Sequence, residues 1–145
     1  MAFCEMGNGH PRPLHLGKGQ VKFLIVGFDY FTKWIEVKPL ATITAQQVQQ
    51  FVWKDIICRH GMPQTITTDN GRQFIDKELA KFYTGLKIKH IISFVEYPQT
   101  NGQAEAANKV TLIELRKRLD EAKGRWLEDL LEVLWAYRCP LVRYK

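Results

Sequence analysis

Val21–Asp29 reads VKFLIVGFD, nearly all apolar, as a strand buried on both faces does. Thr32–Lys38 follows as TKWIEVK, in which Trp34, Ile35 and Val37 alternate with charge. It reads as a partner strand, and the short Tyr30-Phe31 link suggests a hairpin. Downstream, Thr44 can cap a helix running to about His60: Val48, Phe51, Val52, Ile56 and Ile57 make one apolar stripe, and Gly61 followed by Pro63 ends it. Gln64–Asp69, QTITTD, is a short strand that breaks at Asn70-Gly71. Ile75–Leu86 places Leu79, Phe82 and Tyr83 at helical spacing, and Lys87–Phe94, KIKHIISF, is again a strand. After a polar loop over Glu96–Gln103, a long helix starts between Asn101 and Ala104 and runs to about Ala122. A second helix runs from Arg125 to about Arg138. The order β-β-α-β-α-β-α-α makes this a mixed α/β layer protein.

Upstream, residues 1–20 stay outside the pattern. Gly7, Gly9, Pro11, Pro13, Gly17 and Gly19 make a poor strand and a poor helix. At 145 residues, with 46% apolar, 12% aromatic and 25% charged residues, the chain has the make-up of one ordinary globular domain. Such a composition excludes a disordered tail, a collagen-like fibre and a disulfide scaffold. The apolar run Phe23–Phe28 is far short of the roughly 20 residues that span a bilayer. No charged-then-apolar leader opens the chain, so an intracellular, non-secreted protein without a membrane partner is expected. Cys4, Cys58 and Cys139 are odd in number and widely spaced, and His10, His15, His60 and His90 complete no zinc cluster with them. The net charge of +6 leans towards a polyanionic partner.

Two carboxylates stand where chemistry can be done. Asp69 ends a strand, and Glu105 lies in the first turn of the long helix, where the macrodipole favours an anion. Thirty-five residues separate them. Hard divalent ions take one or two carboxylates plus water and phosphate oxygens, and a pair of such ions clamps an in-line phosphoryl displacement. The competing reading is structural: Asp-Asn-Gly is a turn by its own chemistry, and a Glu in a helix's first turn is ordinary. From these two residues alone the structural reading outweighs the catalytic one.

The surrounding words shift that balance. Thr68-Asp69-Asn70-Gly71, then Tyr97-Pro98-Gln99-Thr100-Asn101-Gly102-Gln103-Ala104-Glu105 with Asn108-Lys109, resemble the catalytic core of retroviral-type integrases. Asp29-Tyr30-Phe31-Thr32-Lys33-Trp34-Ile35-Glu36 and Trp135-Ala136-Tyr137-Arg138 are similar to the gypsy-type long-terminal-repeat retrotransposon branch. The resemblance runs from about Lys18 to Cys139. It divides the chain into an off-pattern segment 1–18, a catalytic-core-like domain 19–139 and an off-pattern tail 140–145. It implies a ribonuclease-H-like fold, a mixed sheet flanked by helices. It also implies a Mg²⁺- or Mn²⁺-dependent polynucleotidyl transferase that trims the ends of an element's DNA and joins them to host DNA. No small-molecule substrate is implied; DNA is the partner, with a homodimer possible and nuclear residence alongside cytoplasmic. Asp69 and Glu105 match the second and third metal-binding catalytic acids. Gln99, Asn101 and Gln103 match the mobile loop beside the site, and Asn108 and Lys109 the helix face that approaches DNA. Lys109 also lies four residues after Glu105 on one helix face, where a phosphate contact and a solvated ion pair with Glu105 weigh equally.

Other residues read as structural. Arg116, Lys117, Arg118, Lys123 and Arg125 are interleaved with Glu114, Asp120 and Glu121, more a solvated face than a DNA track. Trp34, Trp53, Trp126 and Trp135 sit in apolar stripes and read as core; His60 and His90 read as packing or surface residues.

The family's first acid is missing. It stands in a Trp-Gly-x-Asp-x-x-Gly-Pro context on the first strand, about 20 residues before the position of Asp29. That count lands on Gly9-His10, and Glu5 is the sole acid of the first 28 residues. Yet the codons of Met6–Pro13, MGNGHPRP, are compatible in the +1 frame with Trp-Gly-Met-Asp-Ile-Leu-Gly-Pro. The expectation is a one-nucleotide shift of frame, the loss of one metal ligand, and activity lowered by orders of magnitude. A non-catalytic nucleic-acid-binding remnant of a retroelement polyprotein is the alternative. Asp29 matches the turn after the second strand and reads as a turn residue, with metal ligation the lesser alternative. His10–Leu16, HPRPLHL, carries two prolines where a central strand belongs, so the first strand is expected to be disturbed.

Overall fold

The computed structural model describes residues 2–6, 23–29, 31–92, 113–115, 117, 118, 121 and 126–143. Five strands form one sheet: β1 (Ala2–Met6), β2 (Phe23–Phe28), β3 (Ile35–Leu40), β4 (Thr65–Thr68) and β5 (Lys89–Ile92), in the spatial order β3-β2-β1-β4-β5. The first three are antiparallel neighbours, and β1, β4 and β5 run parallel. The apolar run of β2 is buried because both faces of the sheet are covered. Leu24, Val26 and Phe28 face one layer and Ile25 the other. A mixed sheet flanked by helices is the ribonuclease-H-like arrangement expected.

The central strand arises earlier than expected. The sheet is not interrupted where the prolines of His10–Leu16 disqualify a strand; Ala2–Met6, upstream of them, takes the central place. It is laddered to β2 along its whole length, from Ala2↔Phe28 to Met6↔Leu24, but meets β4 at Ala2↔Thr67. The hairpin link also differs: it spans Asp29–Trp34, closed by Asp29 N–H to Trp34 O at 2.9 Å and Lys33 N–H to Asp29 O at 2.8 Å.

Helix α1 (Ala45–Phe51) starts where Thr44 accepts from Gln47 N–H at 3.3 Å. It runs on through Val52–Ile57, wound as a π-helix, and Cys58–His60, and stops at Gly61, whose φ of 92° suits glycine. Val48, Phe51, Val52 and Ile56 are buried, as their stripe predicts. Helix α2 (Lys77–Gly85) starts at Asp76, which accepts from the N–H groups of Glu78 and Leu79. These helices, with Ile25, Ile66, Phe74 and Ile88, build the core on one face.

Helix α3 (Trp126–Arg143) builds the other, with Leu130, Leu134 and the helical residue Leu115 packed on β2 and Ile35. It extends past the expected end at Arg138 and runs through Pro140. Two tryptophans read as core are exposed, Trp53 at 45% and Trp135 at 69%, because each lies one residue beyond the buried stripe of its helix.

One buried carboxylate joins three elements. Glu36 on β3 is 5% exposed and accepts from Trp34 Nε1–H at 2.8 Å. His60 Nε2 lies 3.0 Å from it, and Arg59 and Arg138 reach it at 3.2 and 3.3 Å. Arg138 also donates twice to Ile35 O, at 3.0 and 2.6 Å, and lies over the Trp34 ring at 4.9 Å. Tyr137 beside it reaches Glu114 at 3.5 Å and carries the Arg118 guanidinium 5.6 Å above its ring.

Candidate active site

Asp69 follows the last residue of β4, at the carboxyl end of the parallel strands, where α/β sheets place their ligands. The turn after it is fixed locally. Its Oδ1 accepts the Gly71 N–H at 2.8 Å, and Gly71 O in turn accepts from Phe74 N–H at 2.9 Å and Ile75 N–H at 3.1 Å. Phe74, 1% exposed, anchors the turn in the α1–α2 core. A Cβ on Gly71 would stand 3.0 Å from Asp69 Oδ1 and 2.7 Å from Gln73 Nε2, so a side chain there would push against the carboxylate.

Before Asp69 stands Thr68, 1% exposed. Its Oγ1 donates to Asp69 O at 3.0 Å and lies 2.7 Å from His90 Nε2. The His90 ring packs on Tyr83 with centroids 5.0 Å apart. Burial lowers the His90 pKa below the ordinary imidazole value and raises that of Tyr83 above the ordinary phenol value. His60 belongs to the Glu36 cluster. The sequence pattern reads both histidines as packing or surface residues and does not connect His90 to Asp69. The usable signal was Thr68, adjacent to the acid in the same word.

Of the sequence-derived site residues, Asp69 is described. Glu105, Gln99, Asn101, Gln103, Asn108 and Lys109 lie outside the described residues, as do Gly9 and His10.

Asp29 does not join Asp69. Its Oδ1 accepts from Phe31 N–H at 2.9 Å and its Oδ2 from the Thr32 hydroxyl at 3.0 Å, an Asx turn that closes the hairpin. It lines a shallow cleft with Phe31, Gln64 and Thr65, at the end where β4 begins. The register Phe28↔Ala2↔Thr67 puts Asp29 three steps back from Asp69, about 10 Å, and two strands away, about 10 Å more. Metal ligation by Asp29 beside Asp69 is thereby overturned. Glu5 is in register with Ile25, a position of the α1–α2 face, whereas Thr67 is in register with Ala2, the partner of Phe28 on the opposite face.

A carboxylate oxygen is the donor that hard divalent cations take, so Asp69 fits such an ion. Among the described residues, no group of three or more His, Cys, Asp or Glu side chains is gathered to hold one. Nor is any described helix long and apolar enough to cross a membrane. Lys117 and Arg118 are exposed, as both a solvated face and a DNA track require.

Residues 13–98 match the protein family described as Integrase core domain. The chain is 33% identical over 122 residues to the Gag-Pol polyprotein of avian reticuloendotheliosis virus, covering 84% of this chain and 11% of that protein. It is 32% identical over 124 residues to the Pol polyprotein of radiation murine leukemia virus (strain Kaplan), covering 86% and 20%. Among solved structures, a chain of the simian T-cell lymphotropic virus intasome in complex with PP2A regulatory subunit B56 gamma superposes with a TM-score of 0.60 at 20% identity. That match covers 92% of this chain and 46% of the other.

Proposed function

The chain belongs to the integrase core domain family, and on that premise we propose that it is the catalytic-core-like domain of a gypsy-type retrotransposon integrase. In this reading it binds DNA and has lost most of its metal-dependent phosphodiester cleavage and strand transfer. The observation that carries the reading is Asp69, held by Gly71 at the carboxyl end of β4 in a chain of this family.

Asp69 and Glu105 are the residues to hold Mg²⁺ or Mn²⁺. When bound, the ion supplies Lewis-acid polarisation of a phosphodiester and an activated water. Asp69 contributes a carboxylate whose direction is fixed before any ion arrives. Gln99, Asn101, Gln103, Asn108 and Lys109 contact the DNA, with Lys109 on a phosphate. A catalytic site of this kind needs a third carboxylate. Gly9-His10 offers none; Asp29 is two strands away from Asp69, and Glu5, though near its level on the adjacent strand, holds a register position of the opposite sheet face. The family match begins at Pro13, just where the Met6–Pro13 stretch ends, which supports the shifted frame as the source of the loss. A homodimer and a nuclear or cytoplasmic residence belong to the same proposal.

The test is a labelled oligonucleotide duplex with Mn²⁺ and two proteins: the chain as it stands, and a version in which Met6–Pro13 is replaced by Trp-Gly-Met-Asp-Ile-Leu-Gly-Pro. Both are expected to bind, and nicking is expected in the replaced version alone. It should vanish again with Asp69→Asn or Glu105→Gln. Equal nicking by the chain as it stands would overturn the impairment. Absence of duplex binding by both would overturn the DNA-directed reading. Resequencing DNA and transcript across those codons tests the shifted frame directly.

A further inference from the structure

The Thr68 hydroxyl sits at a junction. It has one proton and two lone pairs. The contact to Asp69 O at 3.0 Å takes that proton, so the 2.7 Å contact to His90 is a hydrogen bond only if Nε2 carries the hydrogen and donates it to Oγ1. His90 is brought there by the sheet, since β5 pairs with β4 in the register Ile66↔His90 and Thr68↔Ile92. The Tyr83 ring, itself 1% exposed, backs the imidazole at 5.0 Å and limits its rotation. Burial favours the neutral ring, which has a single N–H to place.

Asp69 is thus held at two points. Gly71 N–H fixes its carboxylate and Thr68 fixes its backbone carbonyl, and the second hold depends on a residue from another strand. We propose that His90 is a positioning residue for Asp69: by donating to Thr68 it turns the threonine proton onto the Asp69 carbonyl and sets the direction in which the carboxylate leaves the sheet. The proposal rests on the reading of Asp69 as a metal ligand. Outer partners of this kind change metal affinity by about 10- to 100-fold when removed.

The test uses the full chain and the variants His90→Leu, His90→Gln, Thr68→Val and Thr68→Ser. Three readouts are taken: the imidazole tautomer by ¹⁵N NMR, hydrogen exchange of the Gly71 amide, and the affinity for Mn²⁺ alone from the electron paramagnetic resonance of the free ion. The unmodified chain should show the Nε2–H tautomer, and Thr68→Val should release it to a mixture. Gly71 exchange should quicken in His90→Leu and Thr68→Val, with Mn²⁺ affinity falling about tenfold or more. Thr68→Ser should stay near the unmodified chain. His90→Gln, which keeps an N–H near the same place, should recover part of the loss.

An Nδ1–H tautomer in the unmodified chain would overturn the proposal. So would a His90→Leu protein with unchanged Gly71 exchange and Mn²⁺ affinity. If the unmodified chain takes up no Mn²⁺, the metal reading of Asp69 fails on its own, and the tautomer and Gly71 exchange still decide the positioning role. If His90→Leu does not fold, the contrast between Thr68→Val and Thr68→Ser decides it.

Discussion

The Glu36 carboxylate gathers Trp34, Arg59, His60 and Arg138, where the Asp69 carboxylate holds the Gly71 amide. A buried carboxylate that loses its cations, or cations that lose a buried carboxylate, costs several kcal/mol, whereas an exposed partner adds little. Glu36→Ala and Arg138→Ala are each expected to lower unfolding stability by about 2–4 kcal/mol in urea. Arg59, with 58% of its side chain exposed, should cost about 1 kcal/mol or less as Arg59→Ala. Equal losses for Arg59→Ala and Arg138→Ala would contradict the geometry. In the sequence Glu36 sits among alternating residues as a solvent-facing charge would. Besides Trp34, its partners stand 23, 24 and 102 residues away, and no local pattern announces them. Asp69 was legible for the opposite reason, since Asp-Asn-Gly makes its own turn. Two further side chains contribute to the response to pH. His90 resists protonation in the fold, so the unfolded chain takes up the proton first. Its stabilising share is present above the ordinary imidazole value of about 6.5 and is lost as pH falls below it, a slope that His90→Gln should remove. Tyr83 resists ionisation, its hydroxyl buried without a hydrogen-bond partner among the described residues, so stability should fall as pH rises past about 10. Absorbance at the phenolate band should then appear for Tyr83 only with unfolding.

The elements end where short-range chemistry tells them to, with one exception. Asp76 caps α2, which begins two residues after the expected start at Ile75, whereas Thr44 and Gly61 are a cap and a stop that act within a turn, which is why the limits of the first helical run were readable. Helix α3 was not, because it carries two apolar stripes. Leu130 and Leu134 face the sheet while Leu131 and Trp135 face outward, and periodicity cannot choose between them. The π-helical Val52–Ile57 was likewise invisible, since its residues are ordinary helix formers and β-branched core residues. After α2 the chain turns into β5 through Lys87, at φ 60°, with Lys87 N–H on Thr84 O at 3.1 Å. A left-handed backbone costs a residue with a Cβ about 1 kcal/mol, so Lys87→Gly is expected to raise stability by about 0.5–1 kcal/mol in urea unfolding. Asp76→Ala, which removes an acceptor for two amides, should lower it by about 1 kcal/mol.

For the whole molecule, the words that mark the family divide into two kinds. Trp34 and Glu36 from one word and Arg138 from another meet at a single cluster, so these words preserve architecture. Thr68-Asp69-Asn70-Gly71 shapes the site. Words of the first kind would therefore keep the family recognisable even in a chain whose catalytic acids were changed. A five-residue strand such as Ala2–Met6 has too little pattern to be read, and only the sheet's need for a central partner reveals it. With a net charge of +6, duplex binding should be largely electrostatic. Its association constant should fall linearly with salt on a double-logarithmic plot, with little sequence preference. A slope near zero in a filter-binding or anisotropy titration would remove that basis. The bond from Arg138 to Ile35 O reaches further than the cluster it belongs to. β3 is an outermost strand, and such a strand is a template on which a second chain can lay down its own backbone. Here Pro39 brings no amide hydrogen, and the guanidinium of the last helix occupies an open carbonyl. A copy cut short of Arg138 would bare that carbonyl and much of the apolar face beneath α3. Shortened copies should therefore collect as insoluble aggregate, while those that keep the last helix remain dispersed.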